Sequence, residues 1–363
     1  MKISLYIFDP YPAVGGANST IQKFIAFLDF DKYELTYFSL RPPIFINKKV
    51  NFIIINSNSV FFSFYKIRKI ILSNNVSTEK IFFSMQYFVN VSTLFFLKEI
   101  RDLKIFIYEI NHPIELDFSQ NIIEFLKKKI IKLLVKRLYQ KADIIAANSQ
   151  ELGKDLSFLI NKKVEIILNP CFSKISFLKK KKFNKKIKIL NISRFEYQKD
   201  HLTLLKGING SKFKDNIELN LVGYGSKKFE ITNFVNKNNI NCKIFKNTKN
   251  LSYFYSSNDI FVFTSIYEGL PTVMIEAASF CMPIISSKFK SGSKEILGNG
   301  KFGYLFKVGD HKRLSQLLNN FVKNPQLFYF KEKKCRKNLR KFLISSNIKK
   351  FNLLLDRLFN KTN

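Results

Sequence analysis

Short, almost wholly apolar runs alternate with longer segments of mixed polarity along most of this 363-residue chain. In the first half the runs are KISLYIF, YELTYFSL, NFIIIN, KIFFSM, KIFIYEI and DIIAAN. Between them, helical spacing of apolar positions predicts helices over 17–28, near 63–73 and over about 119–141. Runs without an alternating polar side suit strands covered on both faces, and the intervening segments suit crossover helices. The second half repeats the scheme with KIKILNIS, IELNLVG, CKIFK, DIFVFT, PIISS and GYLFK. The expected architecture is therefore α/β, with two Rossmann-like domains of parallel sheet and covering helices.

The two series are separated by SKISFLKKKKFNKK at 173–186, a lysine run with little periodicity that reads as a solvated linker. It divides the chain into an N-terminal domain over 1–172 and a C-terminal domain over 187–345, followed by a final helical segment over 346–363. The window IFFSMQYFVNVSTLFFL at 81–97 is the most membrane-like stretch, but Ser, Gln, Asn and Thr interrupt it and it is short for a span. A buried strand followed by a helix is the better reading.

Composition changes this picture in one respect, charge. Hydrophobic residues make up 46% of the chain, enough to exclude a disordered polymer. The formal net charge is +34, which favours a polyanionic partner or an anionic membrane surface. A composition rich in Lys, Asn, Ile and Phe and without Trp also fits an AT-biased coding sequence, so part of the excess carries no function. No nucleic-acid-reading motif accompanies the charge, and nucleic acid is not the expected partner. Cys171, Cys242, Cys281 and Cys335 are scattered without metal-ligand spacing, which fits a reducing cytosol. MKISLYIFDPYP places an aspartate and prolines where an export signal needs its apolar run, so the expected location is cytoplasmic.

The chemistry concentrates in TSIYEGLPTVMIEAASFCMPIISSKFKSGSKEILGNGKFGYLFKVGD at 264–310. An apolar strand runs into Gly269-Leu270-Pro271, and Pro271 stands where a helix begins. Glu268 precedes that turn and Glu276 lies inside the helix, with seven residues between them. Two such carboxylates can accept hydrogen bonds from one polyhydroxylated ligand, while the intervening helix N-terminus favours phosphate. Upstream lie LNISRFEYQKDHLTLLKG at 190–207 and LVGYGSKKFE at 221–230.

These blocks, the last of them read as the Glu-seven-Glu segment followed by SGSKEIL and GYLFKVGD, closely resemble in order and spacing the donor-binding signature of retaining glycosyltransferases of family 4, which have the two-domain GT-B fold. The resemblance implies an acceptor domain and a donor domain facing across a cleft, with the last helix crossing back to the first domain. It implies that Arg194 and Lys199 hold the donor pyrophosphate, that Glu276 receives the ribose hydroxyls, and that Glu268 lies nearer the transferred sugar. The backbone of Gly269, Leu270 and Thr272, with Pro271 between, would meet sugar and diphosphate; Gly223 belongs to the same donor site. Glu295, in SGSKEIL, is either a further contact or a helix cap. Three positions depart from the pattern: Ser193 and Cys281 stand where glycine is usual, and Lys288 where an acid is often found. They bear on which sugar is used.

Further candidates lie in the first domain. Gly15 and Gly16 follow the first strand and open a helix, where glycine lets backbone amides approach phosphate or substrate. His112, before Pro113, should sit at the carboxyl edge of the sheet, and the resemblance implies a supporting catalytic role beside the donor sugar. Glu109 is its orienting partner or strand-end decoration. The segment NIIEFLKKKIIKLLVKRLYQKA at 121–142 sets Ile123, Leu126, Ile130, Leu133 and Leu134 beside Lys128, Lys129, Lys132, Lys136 and Arg137. It reads as a domain helix with a solvated lysine face, or as a contact for anionic lipid or a lipid-pyrophosphate acceptor. Asp29-Phe30-Asp31 has the form of a metal-binding D-x-D but lies between a helix and a strand away from the expected donor site; no metal and no cofactor are expected.

The resulting expectation is a retaining, metal-independent transferase that moves a hexose or N-acetylhexosamine from a nucleotide sugar, UDP-linked, to a glycan or lipid-linked acceptor in bacterial surface-polysaccharide synthesis. It would work peripherally at the inner face of the cytoplasmic membrane. A sugar-nucleotide epimerase of the same fold is the rival within enzymes, and a basic membrane- or polyanion-binding scaffold is the rival outside them.

Overall fold

Every strand pairing in the computed structural model is parallel, so each strand must be followed by a crossover before the next is laid down. The structure describes residues 2–12, 16–43, 45, 47–74, 79–119, 121–173, 186–246 and 250–359. The 173–186 linker expectation falls almost entirely outside them, as does Gly15. The chain forms two units, Met1–Pro170 with Ile344–Asn363, and Cys171–Leu343.

In the first unit β1 (Ile3–Phe8), β2 (Tyr33–Ser39), β3 (Val50–Ile54), β4 (Lys80–Met85), β5 (Leu103–Glu109), β6 (Ile144–Ala147) and β7 (Glu165–Ile166) form one sheet in the order β3-β2-β1-β4-β5-β6-β7. The crossovers carry α1 (Gly16–Ala26), α2 (Val60–Ser73), α3 (Tyr87–Leu97), α4 (Ile122–Leu138) and α5 (Gln150–Ile160). Ser59, Asn121 and Ser149 cap α2, α4 and α5 with side-chain acceptors for the first-turn amides. The membrane-like window resolves into β4 and α3, both largely buried. Strand β7 has no counterpart among the sequence-predicted runs.

The sheet separates two apolar clusters. One unites alternate strand residues such as Phe8, Phe82 and Ile107 with α2, α3, α4 and α5. The other lies over Leu5, Phe83 and Tyr108, where α1 covers only part of the face. The chain's last helix, α13 (Ile344–Arg357), completes it with Ile348, Phe351, Leu354 and Leu355. Phe351 stacks on Phe24 of α1 at 4.2 Å between ring centroids. Truncating a ring so enclosed costs about 3–5 kcal/mol. Asp356, hydrogen-bonded by Tyr33 Oη at 2.9 Å, and Arg357, paired with Glu165 at 3.0 Å, fix the end of α13 to this unit.

In the second unit β8 (Ile187–Ile192), β9 (Ile217–Val222), β10 (Cys242–Phe245), β11 (Ile260–Phe263), β12 (Ile284–Ser287) and β13 (Tyr304–Phe306) form a sheet in the order β10-β9-β8-β11-β12-β13. Its helices are α6 (His201–Asn209), α7 (Lys228–Lys237), α8 (Leu251–Ser257), α9 (Thr272–Ser279), α10 (Ser293–Leu297), α11 (His311–Lys323) and α12 (Pro325–Leu339). Numbered within the unit, this order is 3-2-1-4-5-6, the Rossmann arrangement, and it reverses between β8 and β11. The loops leaving β8 and β11 therefore diverge from adjacent strands, and that is where such sheets bind ligands.

Candidate active site

The loop leaving β8 carries Arg194 and Lys199, and its course is set by the neighbouring loop from β9. Phe195 N donates to Tyr224 O at 2.7 Å, and Lys227 N donates to Phe195 O at 2.8 Å. This contact needs glycine: a Cβ on Gly223 would lie 1.9 Å from the Ser193 carbonyl oxygen. Gly223 thus lets the Arg194 loop lie flat on its neighbour. The loop ends in a short 3-10 turn, Tyr197–Lys199, after which Asp200 adopts a left-handed conformation (φ 46°) and caps α6. Asx side chains tolerate that backbone region better than most.

A second set of bonds stitches this loop to the one from β11. Ile266 N donates to Gln198 O at 2.8 Å, Gln198 Nε2 to Tyr267 O at 2.7 Å, and Thr264 Oγ1 to Lys199 O at 3.0 Å. Between the two loops Lys199 Nζ forms an ion pair with Glu268 Oε1. Their side chains are only 12% and 10% exposed. Arg194 behaves differently: it is exposed, and its guanidinium has no side-chain partner among the described residues.

The β11 loop is braced from its other side. Gly292 N donates to Gly269 O at 2.8 Å, and a Cβ on Gly292 would come within 2.6 Å of that oxygen. Leu270 is buried, Pro271 is the N-cap, and Thr272 opens α9. The first amides of α9 have no intrahelical acceptor, as at any helix start, and they lie directly after the Glu268-Gly269-Leu270 turn. One turn on, half-buried Glu276 accepts a 2.7 Å hydrogen bond from Tyr255 Oη of α8. Burial, with Glu276 alongside, holds the Tyr255 phenol well above its ordinary pKa, so it stays a donor. Glu268 and Glu276 are thus held by different partners, and each keeps a second oxygen without a partner among the described residues.

Sequence reasoning singled out Arg194, Lys199, Gly223 and the 268–276 stretch but not Gln198, Tyr255 or a partly buried triad beneath the β8 loop. Ser193 Oγ lies 2.7 Å from Asn191 Oδ1 and 2.9 Å from His201 Nε2. Asn191 Nδ2 donates to Val262 O, so its Oδ1 is an acceptor and takes the single hydroxyl proton. Ser193 must then accept from His201 Nε2–H. Burial, with Lys199 nearby, depresses the His201 pKa to about 3, so the imidazole is neutral and its buried Nδ1 has no partner. The serine that replaces the usual glycine therefore ties the two ends of the Arg194–Lys199 loop together.

Glu295 is in the first turn of α10. Its carboxylate lies 3.9 Å from Lys341 Nζ, and its carbonyl accepts from Lys341 and from Asn338. Lys288 is exposed.

In the first unit Gly16 begins α1 and is exposed. His112 is buried, and both ring nitrogens are engaged: Nδ1 accepts from Ile114 N at 3.1 Å, which puts the proton on Nε2, 3.0 Å from Asp155 Oδ2. Its orienting carboxylate is thus Asp155 of α5, and the reading of Glu109 as that partner is corrected. Glu109 is fully buried and accepts from Tyr139 Oη and Asn90 Nδ2, while its other oxygen has no partner. Asp9, at the carboxyl end of β1, is a further buried acid that the sequence did not single out; burial raises its pKa, against hydrogen bonds from Tyr37 and Asn18. Asp29 of the D-x-D accepts from the amides of Asp31 and Lys32, so its carboxylate closes the turn between α1 and β2.

Residues 173–342 match the family model described as glycosyl transferases group 1. The second unit is a group 1 glycosyltransferase domain. A Campylobacter jejuni N-acetylgalactosamine-N,N'-diacetylbacillosaminyl-diphospho-undecaprenol 4-alpha-N-acetylgalactosaminyltransferase is 26% identical over 276 residues, covering 72% of this chain and 71% of that protein. Among solved structures, the sucrose-phosphate synthase of Thermosynechococcus elongatus superposes with a TM-score of 0.82 at 13% identity, over 99% of each chain. Anabaena HepE, solved with UDP and glucose, gives 0.78 at 14% identity over 98% of this chain and 100% of that one. These two likenesses establish the two-domain GT-B fold of the chain.

Proposed function

We propose that this glycosyltransferase moves a hexose or N-acetylhexosamine from a UDP-sugar to a lipid-linked glycan, with retention of anomeric configuration and without a metal. The observation that carries the reading is the Lys199–Glu268 ion pair at the β8–β11 switch point, directly before the amino end of α9. A nucleoside diphosphate suits that end, because Arg194 has an uncommitted fork, Lys199 supplies a second positive charge, and helix-start amides donate to phosphate. Glu276, oriented by Tyr255, suits the ribose hydroxyls. Glu268 suits the sugar, and the Glu295 carboxylate is a more distant donor contact.

In the proposed reaction the bond between the anomeric carbon and the diphosphate oxygen breaks. The acceptor hydroxyl forms its bond on the same face, and its proton passes to the departing diphosphate oxygen. Arg194 and Lys199 stabilise the charge that grows there, the role a metal plays in other transferases. His112, a neutral imidazole held by Asp155, has a supporting role, and Gly15 and Gly16 belong to the acceptor or phosphate side. The lipid-linked acceptor is supported by the undecaprenol-diphosphate chemistry in the name of the Campylobacter relative. Such an acceptor would place the protein at the inner face of the cytoplasmic membrane.

The test is a panel of nucleotide sugars read by thermal shift and by slow donor hydrolysis without acceptor. A UDP-sugar should stabilise the chain and be hydrolysed to the sugar with its anomeric configuration retained, unaffected by EDTA, and Glu276→Ala should abolish both effects. If no nucleotide sugar binds and Glu276→Ala changes nothing, the reading fails. An epimerised nucleotide sugar as product would favour the rival enzyme.

A further inference from the structure

Helix α4 presents two apolar faces, and the core uses only one. Val135 is its fully buried residue, and Ile131, Leu134 and Leu138 pack against the cluster beneath the sheet. That is a sufficient inner stripe for a helix on a parallel sheet. Ile123, Leu126, Ile130 and Leu133 nevertheless form a second stripe, 63%, 55%, 59% and 51% exposed, and Ile122 extends it. At 100° per residue these five side chains fall within an arc of about 100° on the outward side.

The stripe continues a wider apolar surface. Helix α3 packs between α2 and α4, and α2 and α3 expose Phe62, Tyr65 and Phe95. Phe62 stacks with Tyr65 at 6.4 Å, and Phe61 links α2 to Phe95 at 5.7 Å. Exposed patches of this extent mark contact with something. Cations border it: Lys127 lies on one flank of the α4 stripe, Lys129 and Lys136 on the other, and Arg137 within it, all exposed. Lys128 and Lys132, lower on the helix, are already paired with Glu124 and Asp117.

We propose that the outer face of α2, α3 and α4 is a membrane-docking surface. Its aliphatic and aromatic side chains would enter the headgroup–acyl boundary of an anionic bilayer while the bordering lysines meet lipid phosphates. Such helices lie in the interface plane, and among the described residues no helix is long and apolar enough to cross a membrane. Charge decides between lipid and a second copy of this chain. Self-association through α4 would face one lysine-bordered stripe with another in a protein of net charge +34, whereas an anionic leaflet neutralises the same border. The inference does not rest on the proposed reaction, and its test leaves the donor site untouched.

The full chain is centrifuged with vesicles of phosphatidylcholine alone and with vesicles containing phosphatidylglycerol, with no glycan acceptor present. It should bind the anionic vesicles, and salt should weaken binding without abolishing it, because the apolar share is not screened. Leu126→Asp with Ile130→Asp should lower partitioning at least about tenfold. Lys127→Gln, Lys129→Gln and Lys136→Gln should each lower it about fivefold. All five positions are exposed, so melting temperature and donor hydrolysis without vesicles should stay unchanged. Because the chain contains no tryptophan, Ile130→Trp supplies a single indole, whose emission should shift to the blue on anionic vesicles only. Wild-type protein that ignores anionic vesicles, or an aspartate double variant that binds like wild type, overturns the proposal. So does a dimer that the double variant dissociates while vesicles go unbound, which would put a second copy on this face.

Discussion

Lys199 and Glu268 stand 69 residues apart in sequence and meet as an ion pair between the β8 and β11 loops, both side chains close to nine-tenths buried. Removing one partner leaves an uncompensated buried charge, which costs about 3–5 kcal/mol at a closed site, whereas neutralising both costs much less. Lys199→Met and Glu268→Gln should therefore each lower the melting temperature of the chain, and the double variant should melt above the Lys199→Met single variant. Donor turnover should be lost in all three. Additive losses in the double variant would show that the pair is not coupled.

Tyr255 Oη donates to Glu276 at 2.7 Å, with the Val273 carbonyl of α9 a longer contact at 3.4 Å, so Tyr255→Phe removes an orienting group without changing charge. The loss of one hydrogen bond should cost about 1 kcal/mol of stability. If Glu276 serves the ribose, the variant should raise KM for the nucleotide sugar several-fold with kcat little changed, the pattern of lost uniform binding. An unchanged KM alongside the stability loss would make the phenol purely structural.

Cys281 follows the C-terminus of α9 with φ of 58°, in the left-handed region. A non-glycine residue there bears about 1–2 kcal/mol of strain, part of which glycine returns as added freedom of the unfolded chain. Cys281→Gly should raise thermal stability by about 1 kcal/mol, and Cys281→Ala should not. Equal melting temperatures for the two would mean the backbone is not under strain at this position.

What the sequence revealed depended on range. Strands β1 to β6 and β8 to β13 were visible because each is an apolar run that needs no partner to be recognised; β7, two half-buried residues at a sheet edge, has too little pattern to be seen. Cys281 was identifiable as a departure from glycine, and the backbone supplies the reason. Contacts across the sheet were not legible: Glu109 is three residues from His112, yet the imidazole uses Asp155, 43 residues away on α5. The two stripes of α4 were equally hidden. Periodicity detects Ile123, Leu126, Ile130 and Leu133 as readily as Ile131, Val135 and Leu138, but only packing decides which set faces the core.

Glu109 provides a pH-dependent signature. Burial, only partly offset by hydrogen bonds from Tyr139 and Asn90, pushes its carboxyl up to about 8, against an ordinary value of 4.5. Between those values the unfolded chain has released this proton while the folded chain still holds it. Folding then takes up a proton, and stability must fall as pH rises through that window, at no more than about 1.4 kcal/mol per pH unit for one group. Below about 4.5 both states are protonated and above about 8 both are ionised, so the contribution is flat at either end. Glu109→Gln keeps an acceptor for Tyr139 and Asn90 and cannot ionise. Its melting temperature relative to wild type should therefore be several degrees more favourable at the alkaline end of the window than at the acid end. Comparing the pair in the same buffers cancels the other titrating groups, and a difference that does not vary with pH would show that Glu109 is already ionised in the folded protein.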